Sequence, residues 1–476
     1  MPPRLDFTEA SIPVLIRKLA VPTSIGFFFN TMFNVVDTYF AGLISTTAQA
    51  SLSLSFPVFF IILSLGMGVG TGTTALIANA LGRRNEEEAM IYARQAIVFG
   101  FVLSVLLAVI GYLIVPHLFR FMNAEGAYLE EALTYMNVIL ISTVTFLLNG
   151  ILNGILSSRG DTLSFRNFLI AGSLLNVGLD PLLIYGFWII PPLGIGGIAL
   201  ATVLIQVAGL VYMGYRVRCT ELFAQIRPEL FKPRNDYLKE IARQGFPASI
   251  NMMTIAIGIF IITYFVSKFG KDGVAAYGIA TRIEQIALLP TIGLNIAAIT
   301  IVGQNFGAGH LGRITEAYRK NLKYGVIIMS AGMVWVFLFA GQLMKIFTDD
   351  GSVIDIGTQY LRIAIIIFNS YVLMNISVAV LQGLKKPMFA IWIGLYRQLL
   401  MPVTVFTLLT DVWGLGLTAI WWGIAGINWS SAVISVIFTL HKLRRSGIIS
   451  SDSGIIPRNS GDRSAVTDAS AGRQDS

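Results

Sequence analysis

The feature that most constrains the fold is a succession of apolar runs, each about as long as a lipid bilayer is thick. A helix needs about 20 residues to cross the hydrocarbon core, and such runs follow one another from residue 14 to residue 441. Of the residues, 55% are hydrophobic and only 13% are charged, whereas soluble domains carry about 25% charged residues. A surface this apolar requires lipid as its solvent. We therefore predict an all-α polytopic membrane protein.

The apolar runs predict twelve transmembrane helices in two sets of six. The helices of the first set are predicted at 14–42, 50–80, 94–116, 131–157, 164–186 and 194–217. Those of the second set are predicted at 240–267, 274–306, 318–345, 355–383, 388–410 and 414–441. The first run is too long for a cleavable signal peptide, so we expect it to remain in the protein as a helix.

The polar stretches divide the chain into segments. Residues 218–239 form the only sizeable polar linker, which we place in the cytoplasm. It separates an N-terminal six-helix bundle over 1–217 from a C-terminal six-helix bundle over 240–445. The stretch 446–476 is rich in Ser, Gly and Asp and predicts a disordered tail.

The basic residues identify the cytoplasmic side. With the N-terminus inside, most Lys and Arg that lie between the helices fall in cytoplasmic segments. The opposite segments hold only Arg120, Lys268, Lys271 and Lys345. This asymmetry obeys the positive-inside rule and, with an even number of helices, places both termini in the cytoplasm. It explains the net charge of +8 without a nucleic-acid partner, and we expect a multi-pass protein of the plasma (inner) membrane.

A constant offset of 225 residues aligns the two halves of the sequence. It pairs Pro22 with Pro247, and the triplet TYF at 38–40 with the same triplet at 263–265. A shift by six helices preserves orientation, so the repeat is parallel and its axis lies along the membrane normal. Two pseudo-symmetric bundles of this kind predict a monomeric transporter that alternates access to a cavity between them. A channel would more often obtain its symmetry from separate subunits.

Two carboxylates interrupt the apolar helices of the first half. Asp37 shares a helix face with Asn30 and Asn34, because the three are spaced i, i+4 and i+7. Asp180 lies four residues after Asn176 in another helix. A carboxylate in the bilayer costs about 3 kcal/mol, so it persists where it is paired, solvated or functional. Counted along their helices at about 1.5 Å per residue, both carboxylates lie toward the outer half of the membrane.

The internal repeat separates a functional role for Asp37 from a structural one. Its equivalent in the second half is Ile262, so the same kind of helix is built there without a carboxylate. Asp37 is therefore better explained as part of a site for a coupling ion. For Asn30, Asn34 and Gln206, hydrogen bonds that hold helices together are an equally good explanation. We take these three as candidate residues of a substrate cavity.

Five motifs, in their order and spacing, resemble the multidrug and toxic compound extrusion (MATE) family. They are NTMFNVVDTYFAG in the first helix, LGRRN after the second, LNVGLDPLLIYG in the fifth, GIGGIALATVLIQ opening the sixth and QNFGAGHLGR after the eighth. The resemblance covers residues 10–445. It implies a V-shaped pair of bundles that exports amphipathic and cationic organic compounds in exchange for H⁺ or Na⁺.

The placement of the carboxylates resembles one subgroup of that family. In the NorM-like subgroup, acidic residues lie in the seventh and tenth helices, where this chain has only Glu240 and Asp355, each at a helix end. Acidic residues in the first and fifth helices instead resemble the DinF-like subgroup. The cation and proton site implied by that resemblance comprises Asp37, Asn176, Asp180 and Thr202, with Tyr135 as a nearby partner.

The implied site suits either of two coupling ions. Two neighbouring carboxylates do not both ionise cheaply, so the pair of Asp37 and Asp180 can carry a proton. Alternatively, both ionise around Na⁺, a hard ion that would also take oxygen ligands from Asn176 and Thr202. The sequence leaves both ions open. Pro22, in the same helix as Asp37, is a candidate hinge.

The second half has intramembrane charges of its own. Arg282 and Glu284 are spaced i, i+2 on a helix and so do not face each other. Arg362 and Arg397 lie in later helices. We take Glu284 and Arg397 as a candidate pair, which is either a structural ion pair or part of substrate binding and gating.

The sequence contains no set of residues that predicts an enzyme or a cofactor site. Cys219 is the single cysteine, and the three histidines are scattered, so neither a disulfide framework nor a metal cluster is expected. The glycine-rich stretch GMGVGTGTTALIANALG lacks the Gly-Lys-Ser/Thr of a nucleotide loop. We expect a transporter that an ion gradient drives, with small amphipathic molecules and membrane lipid as its partners. The alternative is a flippase for lipids or lipid-linked sugars of the same superfamily.

Overall fold

The computed structural model describes residues 6–188, 191–224 and 227–449. The first half consists of α1 (Ile12–Ile44), α2 (Thr46–Gly82), α3 (Glu86–Phe121), α4 (Gly126–Ile141), α5 (Thr143–Ser158), α6 (Leu163–Tyr185) and α7 (Ile195–Arg218). The second half consists of α8 (Asn235–Ser267), α9 (Lys271–Ala287), α10 (Leu289–Gly307), α11 (Leu311–Lys345), α12 (Gly351–Gly383), α13 (Met388–Leu395), α14 (Met401–Thr407) and α15 (Leu417–Arg445). Residues 450–476 of the predicted disordered tail lie outside the described residues.

The helices have the length and composition that a membrane requires. Within the described residues, 11 helices are long and apolar enough to cross a bilayer, and the bent pair of α4 and α5 makes a twelfth. The prediction of an all-α protein with twelve transmembrane helices is confirmed.

Two helices that were predicted as continuous are broken, for local reasons. The prediction of one helix at 131–157 is wrong at Ser142, where α4 and α5 meet at 48°. The Ser142 and Thr145 hydroxyls hydrogen-bond each other, and the Thr145 hydroxyl also bonds the Ser142 carbonyl. Such side-chain bonds compete with the bonds that continue a helix. The prediction at 274–306 is wrong at Leu288, where Pro290 begins a new helix. Proline has no backbone N–H to continue the preceding turn.

The helix predicted at 388–410 contains two π-helical segments. They are Tyr396–Leu400, between α13 and α14, and Leu408–Val412, after α14. The first π segment ends two residues before Pro402, which has no backbone N–H to bond the carbonyl of residue 398. A π segment changes the direction in which the following side chains point. Arg397 lies in the first of these segments.

The two bundles meet at the basic face of the molecule, by which we mean the end where α2, α7 and α10 finish and α8 begins. A side chain at Gly72 would collide with the backbone of Gly245, and one at Gly307 with the backbone of Asn79. These close approaches bring α2 against α8 and α10. One apolar core also joins Ile12 and Leu15 of α1 to residues of the second bundle. The bundles are therefore in tight contact at the predicted cytoplasmic side.

The connection between the bundles is docked on α3. It contains the 3-10 helices Glu221–Phe223 and Pro228–Phe231, and α8 begins at Asn235 rather than at residue 240. The Arg94 guanidinium donates to the Leu222 carbonyl at 2.8 Å and lies over the Phe223 ring. Arg94 is 1% exposed. This arginine near the basic face is therefore buried, and its contacts hold the linker against α3.

Candidate functional site

Four of the predicted site residues meet inside the first bundle. Asn176 donates from Nδ2 to Asp37 Oδ1 and to Asp180 Oδ1, both at 3.0 Å. Thr202 Oγ1 donates to Asp37 Oδ2 at 3.5 Å. All four side chains are buried, and Asn176 and Asp180 are fully so. One amide thus bridges two carboxylates that come from α1 and α6, with a hydroxyl of α7 beside them.

Helix packing brings these side chains together. Asn176 and Asp180 face one direction because they are one helical turn apart on α6. Helix α7 approaches α6 closely, since a side chain at Gly197 would collide with the Leu183 backbone. This approach sets Thr202, near the middle of α7, next to the carboxylates. Sequence spacing predicts the shared face on α6, but only the packing brings in α7.

The cluster has acceptor oxygens left over. Asp180 Oδ2 and Asn176 Oδ1 are buried and have no hydrogen-bond partner. Neither Asp37 nor Asp180 forms an ion pair with a described residue within 4.0 Å. Buried carboxylates without a counter-charge are costly, and they are stabilised by a proton or by a bound cation. The arrangement can therefore take up a proton or a hard cation.

The oxygen-rich donor set fits an alkali cation better than a transition metal. Two carboxylates, an amide oxygen and a hydroxyl are the ligands that hard cations take. No group of three or more His, Cys, Asp or Glu that could hold a metal occurs in the described part of the chain. These donors are compatible with both coupling ions, H⁺ and Na⁺.

Tyr135 stands beside the cluster. Its side chain is 3% exposed, and it lies close enough to Asp37 and Asp180 to experience the charge of both. Tyr135 belongs to α4, so the cluster draws on four helices of the first bundle. Its role as a partner of the site stays a prediction.

A cavity of about 140 Å³ adjoins the cluster. Most of its lining belongs to the first bundle, and Ile296 and Ile299 of α10 line it from the second bundle. Asn30, Asn34 and Gln206 line it, and Thr202 lines it as well. The role of the first three as substrate contacts stays a prediction. Thr202 therefore belongs both to the carboxylate cluster and to the cavity wall. The aromatic part of the wall comes from Phe27, Phe33, Phe59, Phe146, Phe165 and Phe168.

Two further asparagines, which were not predicted from the sequence, belong to the cavity wall. Asn149 donates from Nδ2 to Gln206 Oε1 at 2.8 Å, and Asn153 lines the same cavity. They are spaced i, i+4 in the apolar stretch NGILNG, as Asn30 and Asn34 are in theirs. The same spacing of two amides in an apolar helix could have identified them from the sequence.

Glu284 and Arg397 do not meet as a pair. Glu284 accepts a hydrogen bond from the Tyr360 hydroxyl at 2.8 Å, and Arg397 donates to Asn428 Oδ1 at 3.1 Å. The predicted ion pair is wrong for this conformation, because the ring of Tyr371 lies next to both groups. Neither residue lines the cavity of the first bundle. Helix α1 meanwhile runs unbroken through Pro22, whose role as a hinge stays a prediction.

Known proteins resemble this chain over most of its length. The MatE family model matches twice, at residues 22–182 and 247–407, so the starts (247 − 22) and the ends (407 − 182) both differ by the 225 residues of the internal repeat. A protein of Thermotoga maritima named probable multidrug resistance protein NorM is 26% identical over 91% of this chain and 93% of its own. A Shewanella oneidensis protein named FAD transporter is 26% identical over 84% of this chain and 89% of its own.

Solved structures agree with this in fold. A structure described as an outward-facing conformation of a multidrug resistance MATE family transporter superposes with a TM-score of 0.86 at 27% identity, covering 93% of this chain and 98% of the other. A structure of MATE in complex with MaL6 gives a TM-score of 0.88 at 26% identity and covers 94% of this chain and 99% of the other.

Proposed function

Because this chain belongs to the MatE family, as its motifs indicate, we propose that it exports amphipathic and cationic organic compounds in exchange for H⁺ or Na⁺. It is a membrane transporter and not an enzyme. The observation that carries the proposal is the buried cluster of Asp37, Asn176 and Asp180 beside the cavity. The names of several relatives, which refer to multidrug resistance or export, support the substrate class.

The cluster links ion binding to substrate binding through shared elements. Thr202 belongs to both, and α1 carries Asp37 in the cluster and Asn34 in the cavity wall. With its carboxylates ionised, the cluster attracts an organic cation into the adjacent cavity. A proton or Na⁺ bound at the cluster removes that attraction, so the ion and the substrate replace each other.

The bundle contacts define which side the cavity faces. The bundles touch at the basic face, which we assign to the cytoplasm, and we infer from this contact that the cavity opens to the outside. Binding of the coupling ion from outside would then expel the substrate. Rocking of the bundles would next open the cytoplasmic side. The pair of acids in α1 and α6 supports assignment to the DinF-like subgroup.

The first experiment tests the carboxylates in everted membrane vesicles of an expressing strain. Addition of the cationic dye ethidium should dissipate a preformed H⁺ or Na⁺ gradient. Asp37→Asn and Asp180→Asn should reduce this to the level of vesicles that lack the protein. Asp355→Asn, an exposed carboxylate at the start of α12, is the matched control. Normal coupled transport by both site variants would refute the assignment.

A second experiment separates the two ions and the substrate charge. In proteoliposomes, a pH gradient and a Na⁺ gradient are imposed one at a time, and ethidium uptake is measured for each. FAD is then added as a competitor, because one relative is named for it. Competition by FAD but not by organic cations would favour an anionic substrate over the proposed class.

A further inference from the structure

The second bundle contains a buried carboxylate of its own. Glu284, on α9, is 5% exposed. Its Oε2 accepts a hydrogen bond from the Tyr360 hydroxyl at 2.8 Å, and its Oε1 has no hydrogen-bond partner. Only one of the two carboxylate oxygens therefore has a hydrogen-bond partner. Among the described residues, no Lys or Arg forms an ion pair with it within 4.0 Å.

None of the three intramembrane arginines that the structure describes in the second bundle forms an ion pair with Glu284. Arg282, on the same helix, is exposed. Arg362 is exposed too, and its guanidinium lies over the Phe337 ring. Arg397 donates to Asn428 and lies over the Tyr371 ring at 5.1 Å. Tyr371 therefore stands between the guanidinium and the carboxylate.

The internal repeat relates this carboxylate to the cluster in the first bundle. Tyr360 and Tyr135 are equivalent positions, since 360 − 135 is 225. Each of these buried tyrosines lies beside a buried carboxylate of its own bundle. The carboxylates themselves are not equivalent, because Phe59 stands in the first half where Glu284 stands in the second. The two bundles thus carry separate acids next to one repeated tyrosine.

The surroundings of Glu284 favour the smallest ligand. Tyr360, which donates to Glu284, belongs to a group of packed rings. The rings of Tyr277, Tyr360 and Trp421 contact one another with centroid distances of 4.8 to 5.9 Å. Packing this close leaves a proton as the ligand that fits without displacing a ring. A buried carboxylate that lacks a counter-charge is stabilised when it is protonated.

We propose that Glu284 is a second proton-binding site, distinct from the cluster at Asp37. In this conformation it holds a proton and accepts from Tyr360. Its ionised form requires the guanidinium of Arg397 to approach past Tyr371. Arg397 lies in the π-helical segment Tyr396–Leu400, where a shift of the helix register redirects side chains. The titratable and charged groups that face Glu284 are Tyr277, Tyr360, Tyr371 and Arg397.

Infrared difference spectroscopy of the purified full-length protein tests this directly. The Asp37→Asn/Asp180→Asn double variant removes the first site, and its spectra are recorded as the pH is raised. A buried protonated carboxyl gives a C=O stretching band that disappears on ionisation. We expect one such pH-dependent band in the double variant, and its loss on addition of Glu284→Gln. Asp355→Asn, added instead, should leave the band unchanged.

A second variant keeps the test decisive if Glu284→Gln does not fold. Tyr360→Phe removes only the hydroxyl that donates to Glu284, so it should shift the frequency of the same band. A band that persists unchanged with Glu284→Gln or Tyr360→Phe would overturn the proposal, as would the lack of any pH-dependent band in the double variant. The measurement requires no transport, so its outcome is independent of the proposed export activity.

Discussion

At the residue scale, the cost of charge in a membrane made the buried carboxylate cluster predictable. Asp37 and Asp180 stand out because an intramembrane carboxylate needs a reason, and the structure joins them through Asn176. A buried amide costs less free energy than a buried carboxylate, so the sequence did not single out Asn149, which hydrogen-bonds Gln206. The pairing of Glu284 with Arg397 failed for another reason. Sequence distance does not reveal the ring that stands between two side chains.

The strengths of the hydrogen bonds at Asp37 predict a graded response to mutation. Asn176→Ala removes both bridging bonds, and each charged hydrogen bond contributes about 1.5 to 3 kcal/mol. We therefore expect ion-driven ethidium transport to fall at least about tenfold, since about 1.4 kcal/mol corresponds to a factor of ten. Thr202→Val removes one long bond of 3.5 Å and should reduce transport less than about fivefold.

Thr31→Val is the matched control, because the Thr31 hydroxyl bonds only the Phe27 carbonyl of its own helix. Initial rates in proteoliposomes of equal protein content would measure all three variants. A larger loss for Thr202→Val than for Asn176→Ala would contradict the geometry described for the cluster.

At the element scale, hydrophobic length predicted the spans and local chemistry decided their breaks. The twelve spans follow from composition alone, because the bilayer fixes how long an apolar run must be. The break at Ser142 depends on a hydrogen bond between two hydroxyls. The break at Leu288 depends on a proline, and a proline also lies within an unbroken helix, as Pro22 does in α1. The structure of the linker is the part that its own sequence predicts least, because contacts with α3, which is distant in sequence, hold the linker in place.

Arg94 is expected to hold the linker in place. Arg94→Ala removes a hydrogen bond to the Leu222 carbonyl and the stacking on Phe223, together about 2 kcal/mol. We expect a lower melting temperature and faster cleavage by trypsin after Arg234, which lies in the linker and is followed by Asn235. Arg218→Ala, at an exposed position at the end of α7, is the control. Equal cleavage rates for the wild type and Arg94→Ala would show that the linker is ordered by other contacts.

At the scale of the whole molecule, the two bundles are joined by a contact that the repeat does not duplicate. The Tyr92 hydroxyl, on α3 of the first bundle, donates to Glu240 Oε2 on α8 of the second. Lys385 Nζ holds the other oxygen of Glu240 at 2.6 Å. The equivalents of Glu240 and Lys385 in the first half are Leu15 and Gly160, so no second copy exists. Under the alternating access proposed above, this contact breaks when the basic face opens.

Tyr92→Phe should therefore shift the protein toward the conformation that is open at the basic face. The variant removes one hydrogen bond to a charged group, worth about 1.5 to 3 kcal/mol, and keeps the aromatic ring against Tyr237. A change of about 1.4 kcal/mol alters a two-state population ratio tenfold. Spin labels on cysteines at Glu87 and Arg444, both exposed near the basic face, report the distance between the bundles when Cys219 is replaced by Ser.

We expect pulsed electron-spin measurements on Tyr92→Phe to show a population with a longer separation of these labels, about tenfold enriched over the parent. Tyr237→Phe is the control, because it removes a hydroxyl from the neighbouring ring and leaves the bond between Tyr92 and Glu240 in place. Glu240→Gln should act in the same direction as Tyr92→Phe, since it weakens the same contact and frees Lys385. An identical distance distribution in the parent, Tyr92→Phe and Glu240→Gln would mean that the close helix contacts around Gly72 and Gly307 hold the basic face closed without this hydrogen bond.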